Sequence, residues 1–109
     1  MRDILPILNS PCQEAVEFPP QRRIIKMQLG RTCSDTFYLP FPYIQFYFFS
    51  HTLYISWSLL PVENDNTVTS RPFLPNIRSR GSVCLGEDSP RSLQKAITQF
   101  WNATLPPLS

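Results

Sequence analysis

Apolar and polar positions alternate with a period of two along the middle of the chain. From Tyr43 to Phe49, Ile44, Phe46 and Phe48 fall on one side and Tyr43, Tyr47 and Phe49 on the other. This predicts a strand covered on both faces. Ser50-His51-Thr52 reads as a short connection, after which Leu53, Ile55, Trp57 and Leu59 alternate with Tyr54, Ser56 and Ser58. The two runs predict an antiparallel hairpin. Residues 22–29 alternate as well, with Ile25, Met27 and Leu29 on one face and Lys26 and Gln28 on the other, a half-buried strand ended by Gly30 and followed by a turn over residues 31–35. The period then changes. Leu93, Ala96, Ile97, Phe100 and Trp101 recur at helical spacing, so one apolar helix stripe is predicted, with Ser89-Pro90 as its N-cap and first position and Pro106-Pro107 as its stop. Glu63-Asn64-Asp65-Asn66 reads as a polar loop, and residues 71–88 have no period at all.

Length bounds this to one domain, and strands followed by one helix make it α+β. The chain has 109 residues, with twelve prolines against three glycines. Proline suppresses helix interiors and central strands, so edge strands, turns and extended loops should be abundant. Residues 1–20 carry Pro6, Pro11, Pro19 and Pro20 and read as an extended arm, which folds only by lying on its own domain or on a partner. Residues 21–109 form the domain.

Charge and cysteine usage exclude several classes. The net charge of +2 is spread thinly, without the dense basic stripe that a nucleic-acid face needs. The apolar span over residues 37–60 is interrupted by Pro40, Pro42, Gln45 and His51, which favours strands over a membrane helix. The amino terminus shows no apolar h-region of a secretory signal, so an intracellular location and reduced thiols are expected for Cys12, Cys33 and Cys84. No CxxC or HxxxH pair supports a metal site, and no cofactor is expected.

The chemistry concentrates in Leu74-Pro75-Asn76-Ile77-Arg78-Ser79-Arg80-Gly81-Ser82-Val83-Cys84-Leu85-Gly86. This stretch resembles the active-site segment of ubiquitin-conjugating enzymes (the UBC family). There a His-Pro-Asn triplet leads through a short turn to Gly-x-Ile/Val-Cys-Leu. Pro75-Asn76-Ile77 and Gly81-Ser82-Val83-Cys84-Leu85 match, with the family's Asn-to-Cys spacing, and Leu74 stands where the family has histidine. The stretch is more similar still to divergent UBC-like proteins of bacterial mobile elements, through Pro40-Phe41-Pro42-Tyr43, Leu53-Tyr54-Ile55 and Gly81-Ser82-Val83-Cys84-Leu85-Gly86. The resemblance covers roughly residues 36 to 104. It implies an antiparallel β-meander, then a cysteine loop, then one helix packed on the sheet. It also implies a ubiquitin-like modifier carried as a thioester on Cys84, an activating enzyme as partner, and transfer to an amine.

Each candidate residue has two readings. Cys84 is either the acyl-carrying nucleophile or a buried small hydrophobe. The flanking glycines favour an exposed loop. Asn76 is either an oxyanion donor or a turn residue bonding its own backbone after Pro75. Asp88, with Glu87, either helps deprotonate an incoming amine or serves the electrostatics of the helix start. His51 is either a partner for the thiol or a solvated turn residue. Pro75, Tyr43, Phe49 and Trp57 are candidate binding residues, because the aromatic residues exceed what one sheet face needs and a surplus marks an interface. The competing function is a catalytically inert adaptor or structural subunit, whose partners are the protein subunits of an assembly.

Overall fold

The structure is a computed structural model that describes residues 1–9, 11–85 and 90–106. Among these residues, seven strands and one α-helix follow in order, with a short 3-10 turn (Leu5–Ile7) after the first strand: β1 (Arg2–Asp3), β2 (Glu14–Phe18), β3 (Gln21–Gln28), β4 (Ser34–Phe41), β5 (Tyr43–Phe49), β6 (Thr52–Ser58), α1 (Leu93–Asn102) and β7 (Thr104–Leu105). They build two sheets, ordered β1-β2-β5-β6 and β4-β3-β7. All pairings are antiparallel except the two-residue parallel contact of β3 with β7. The fold is therefore α+β, with a carboxy-terminal helix.

Prolines explain why there are two sheets. β2 pairs with β5 from Glu14↔Phe48 to Phe18↔Ile44, and β3 pairs with β4 from Gln21↔Phe41 to Gln28↔Ser34. Between the two ladders lie Pro19-Pro20 on one side and Pro42-Tyr43 on the other, so the register continues unbroken across the gap. This is one long hairpin interrupted by three residues that have no N–H to donate. The ribbon bends there, and its outer half becomes the second sheet. Pro40 is accommodated because β4 is an edge strand.

The core lies between the sheets and the helix. Val16, Ile44, Phe46, Phe48, Leu53 and Ile55 of the first sheet meet Ile25, Phe41 and Leu105 of the second and Leu93, Ala96, Ile97 and Phe100 of α1. Phe46 is at its centre, with its ring edge-on to those of Phe18, Phe100 and Trp101 at 5.7, 5.6 and 6.1 Å. The buried helix positions follow the stripe read from the sequence. The cap differs. Ser92, not Ser89, takes the N-cap role, its hydroxyl accepting from the Lys95 N–H at 3.2 Å, while the Glu14 carboxylate accepts from the Leu93 N–H at 3.2 Å. Two orphan donors of the first turn are thereby satisfied, one by a residue far away in sequence. Ser89 lies outside the described residues.

Several expectations are corrected at strand ends. Ser34 and Asp35, read as turn, open β4. Leu29 lies past the end of β3 and Leu59 past the end of β6, and both are exposed instead of buried on a strand face. The segment expected as an extended arm lies on its own domain. β1 and β2 join the first sheet, and Ile4 is fully buried.

The second face of the first sheet holds a buried polar network. Glu17, Gln45, Ser56 and Ser58 face the same side, and Gln45 pairs with Glu17 on one flank and Ser56 on the other. Carboxylate oxygens only accept, so Glu17 fixes the orientation of everything around it. Arg2 donates to Oε1 at 2.6 Å; Gln45 Nε2 and the Val62 N–H donate to Oε2, each at 2.8 Å. Gln45 Nε2 also donates to Ser58 Oγ at 2.8 Å, and Ser58 donates to the Leu60 carbonyl at 2.6 Å. Ser56 donates to Gln45 Oε1 at 2.7 Å, which leaves the Tyr47 hydroxyl as the donor to Ser56 Oγ at 3.2 Å.

Candidate functional site

The Pro-Asn segment is a β-turn. The Ile77 N–H donates to the Leu74 carbonyl at 3.1 Å, with Pro75 in the second position, where its fixed φ suits the turn, and Asn76 in the third. Leu74 packs against the core. A tight hairpin follows. Ile77 bridges Val83, Arg78 N–H donates to Ser82 O, Gly81 N–H to Arg78 O, and Cys84 N–H to Asn76 O, each bond 2.9 Å long. A turn closed by a left-handed residue of this kind favours glycine. Gly81 has φ +86°, and a Cβ there would sit 3.1 Å from the Ile55 carbonyl.

The hairpin is fixed to the outer edge of β6. Ile55 N–H donates to Gly81 O at 2.9 Å, Val83 N–H donates to Leu53 O at 2.8 Å, and Tyr54 bridges Ser82. Ile77 and Val83 are buried on the core side. Asn76 and Cys84 are the next cross-strand pair, joined by the backbone bond just described. Paired residues share one side of such a ribbon, with Cβ atoms about 4.5–5.5 Å apart.

The two residues differ sharply in environment. Cys84 is exposed and outside any disulfide. Asn76 is 7% exposed, and among the described residues neither Nδ2 nor Oδ1 has a hydrogen-bond partner. It therefore does not bond its own backbone, one of the two readings taken from sequence. Its amide is a free donor and acceptor in a residue whose backbone pairs with that of Cys84. His51, in the β5–β6 turn with φ +61°, is exposed and sets its ring edge-on to Phe48 at 6.3 Å. Asp88, Glu87 and Gly86 lie outside the described residues.

The four candidate binding residues do not gather around the thiol. Pro75 belongs to the Asn76 turn. Phe49 lines a recess of about 270 Å³ with Pro11, Cys12, Tyr47 and Tyr54, on the second face of the first sheet. Tyr43 shares that face, half-buried. Trp57 is on the core face near the end of β6, between Phe41 and Phe73 at 6.5 and 6.3 Å. There it walls a groove of about 780 Å³ whose lining includes Pro42, Leu59, Leu60, Pro61 and Val68. The sequence reading missed this groove. Its one signal is that Leu60 follows Leu59 directly and breaks the alternation just where β6 ends at Ser58.

Among the described residues, no group of three His, Cys, Asp or Glu side chains is placed to hold a metal ion, and no helix is long and apolar enough to cross a membrane. The chain matches no family model, no curated protein and no solved structure.

Proposed function

We propose that this chain is a UBC-like carrier that holds a ubiquitin-like modifier as a thioester on Cys84 and passes it to an amine. The supporting observation is the backbone pairing of Cys84, whose thiol is exposed, with Asn76, whose buried amide has no partner among the described residues, across a hairpin whose glycine fixes the turn. In loading, the Cys84 sulfur bonds to the carbonyl carbon of the donor thioester. The donor C–S bond breaks, and the donor sulfur leaves with the proton that Cys84 gives up. No redox partner or strong base is required, since the exchange replaces one thioester by another. In transfer, the amine nitrogen bonds to that carbon, the Cys84 C–S bond breaks, and the proton that the amine gives up is taken, through solvent, by the departing Cys84 thiolate. The Asn76 Nδ2–H group stabilises the oxyanion of both tetrahedral intermediates, a contribution of roughly 2.7–4 kcal/mol for one such donor.

A second reading, an inert adaptor with the same fold, is supported by Leu74. It occupies the place of the motif histidine and packs into the core. A glycine-ended peptide thioester separates the two. Mass spectrometry after single-turnover acylation should place the acyl group on Cys84 ahead of Cys33, which is also exposed and serves as an internal control. Aminolysis of the Cys84 adduct by a lysine amine should slow about 10²-fold in Asn76→Ala. If Cys33 acylates as fast and Asn76→Ala changes nothing, the adaptor reading holds.

A further inference from the structure

Two different exposed apolar surfaces carry opposite charge. The first is the groove beside Trp57, where Leu59 and Val68 are 88% and 85% exposed and the ring of the exposed Phe73 meets that of Trp57 edge-on at 6.3 Å. Glu63 lines it, Asp65 follows in the same loop, and no cationic side chain lines it among the described residues. The second is the outer face of the β3–β4 ribbon. The pairings Arg22↔Pro40, Ile24↔Tyr38 and Lys26↔Thr36 put these six residues on one side, opposite the buried Ile25. Ile24 and Tyr38 are 61% and 63% exposed, and the Arg22 guanidinium lies 5.8 Å from the centre of the Tyr38 ring. This face carries two cations and no carboxylate.

We infer that the chain associates with itself head to tail, the cationic β3–β4 face of one copy seated in the acidic groove of the next. Ile24 and Tyr38 supply convex apolar side chains to a concave apolar groove. Arg22 and Lys26 come within reach of Glu63 in its lining. The two surfaces are different patches, so the contact is heterologous: each copy in a complex leaves one groove and one face open, and growth continues unless the rotation closes a ring. A groove-to-groove pairing would bring like charges together, which disfavours a two-fold dimer. The association does not depend on Cys84 chemistry.

Sedimentation velocity of the full chain tests this. The weight-average sedimentation coefficient should rise with protein concentration, and less steeply at high salt. Leu59→Glu, which spoils the groove, and Lys26→Glu, which spoils the face, should each raise the dissociation constant about tenfold or more. Mixed one to one, they should form a discrete dimer and nothing larger, because each variant retains one sound surface. That recovery also shows that both variants are folded. Concentration-independent sedimentation as a monomer overturns the inference. So does association lost in Leu59→Glu but kept in Lys26→Glu, which marks a groove-to-groove contact, and so does failure of the mixture to form the dimer. Cys84→Ala should assemble like the parent chain.

Discussion

Removing the Glu17 carboxylate should destabilise this protein far more than removing the arginine that pairs with it. Glu17 is 3% exposed and accepts three hydrogen bonds, whereas Arg2 is 48% exposed. In Glu17→Ala, the Val62 N–H and one proton of the Gln45 amide lose their acceptor inside the protein. An unsatisfied buried donor costs about 1–3 kcal/mol, and hydrogen bonds to a charged group are worth about 1.5–3 kcal/mol each. The two orphaned donors sum to a loss of about 3–5 kcal/mol. Glu17→Gln keeps the shape and one acceptor. Its oxygen can serve Gln45 and Val62 while its amide displaces the Arg2 guanidinium towards solvent, so about 1.5–3 kcal/mol should go. Arg2→Ala removes a half-exposed pair worth about 1 kcal/mol or less after solvent screening, with one further bond to the Val62 carbonyl at 2.5 Å. Urea unfolding at neutral pH, read by Trp fluorescence with a constant m-value, should rank the three Glu17→Ala, Glu17→Gln, Arg2→Ala in falling cost. Equal losses in Arg2→Ala and Glu17→Ala would refute the reasoning, because the ion pair, not the buried acceptor, would then be holding the network.

Other consequences rest on single residues. Ser50 and His51 both adopt positive φ, at 50° and 61°, in the two-residue β5–β6 turn, a conformation suited to Asn-Gly. The double change Ser50→Asn/His51→Gly should stabilise by about 1 kcal/mol, since relief of left-handed strain outweighs the added chain entropy, and should raise Tm by about 4–8 °C in calorimetry. Gly81→Ala should cost about 1–3 kcal/mol, from positive φ and the close Ile55 carbonyl, and should lower the thioester reactivity of Cys84 in the same preparation. Burial raises the Tyr47 hydroxyl above its ordinary 10.0, a shift opposed by the Ser56 hydrogen bond and reinforced by Cys12, Glu17 and Asp65. The folded state therefore holds this proton more tightly than the unfolded state. The resulting stability is complete below pH 10 and is lost as pH rises through the folded value. Tyr47→Phe should flatten the alkaline fall in urea-midpoint titrations, and an unchanged slope would contradict it.

Legibility tracks how local the governing interactions are. The β5–β6 hairpin and the α1 stripe show in the sequence because their periods are uninterrupted and their apolar faces are strongly marked. β2 is obscured for the opposite reason. Its buried face carries Val16 and Phe18, but its other face carries Glu17, which reads as a solvent residue until Gln45, Val62 and Arg2 are brought beside it from elsewhere in the chain. β4 is hidden by Pro40, a residue that counts against a strand unless the strand is known to be at an edge. Ser92 wins the cap over Ser89 because Glu14, far away in sequence, meets the Leu93 N–H. The Asn76-to-Cys84 pairing is readable in outline from the spacing and from Gly81. That the amide would be buried with no partner is not, since it depends on how Ile77 and Val83 seat the hairpin against β6.

That unpartnered amide carries an energetic argument. A buried carboxamide with both polar atoms unmet costs about 1–3 kcal/mol per group, whereas an apolar side chain of the same shape would cost nothing there and add packing. Asn76→Leu should therefore stabilise the fold by about 1–2 kcal/mol in urea unfolding, against the usual direction for a buried substitution. On the proposed chemistry it should also slow aminolysis of a Cys84 thioester about 10²-fold. Stability gained as transfer is lost is the signature of a residue kept for its donor atom. A destabilised Asn76→Leu would instead mean that ordered water satisfies the amide, which would then be part of the structural framework of the hairpin rather than a donor reserved for an oxyanion.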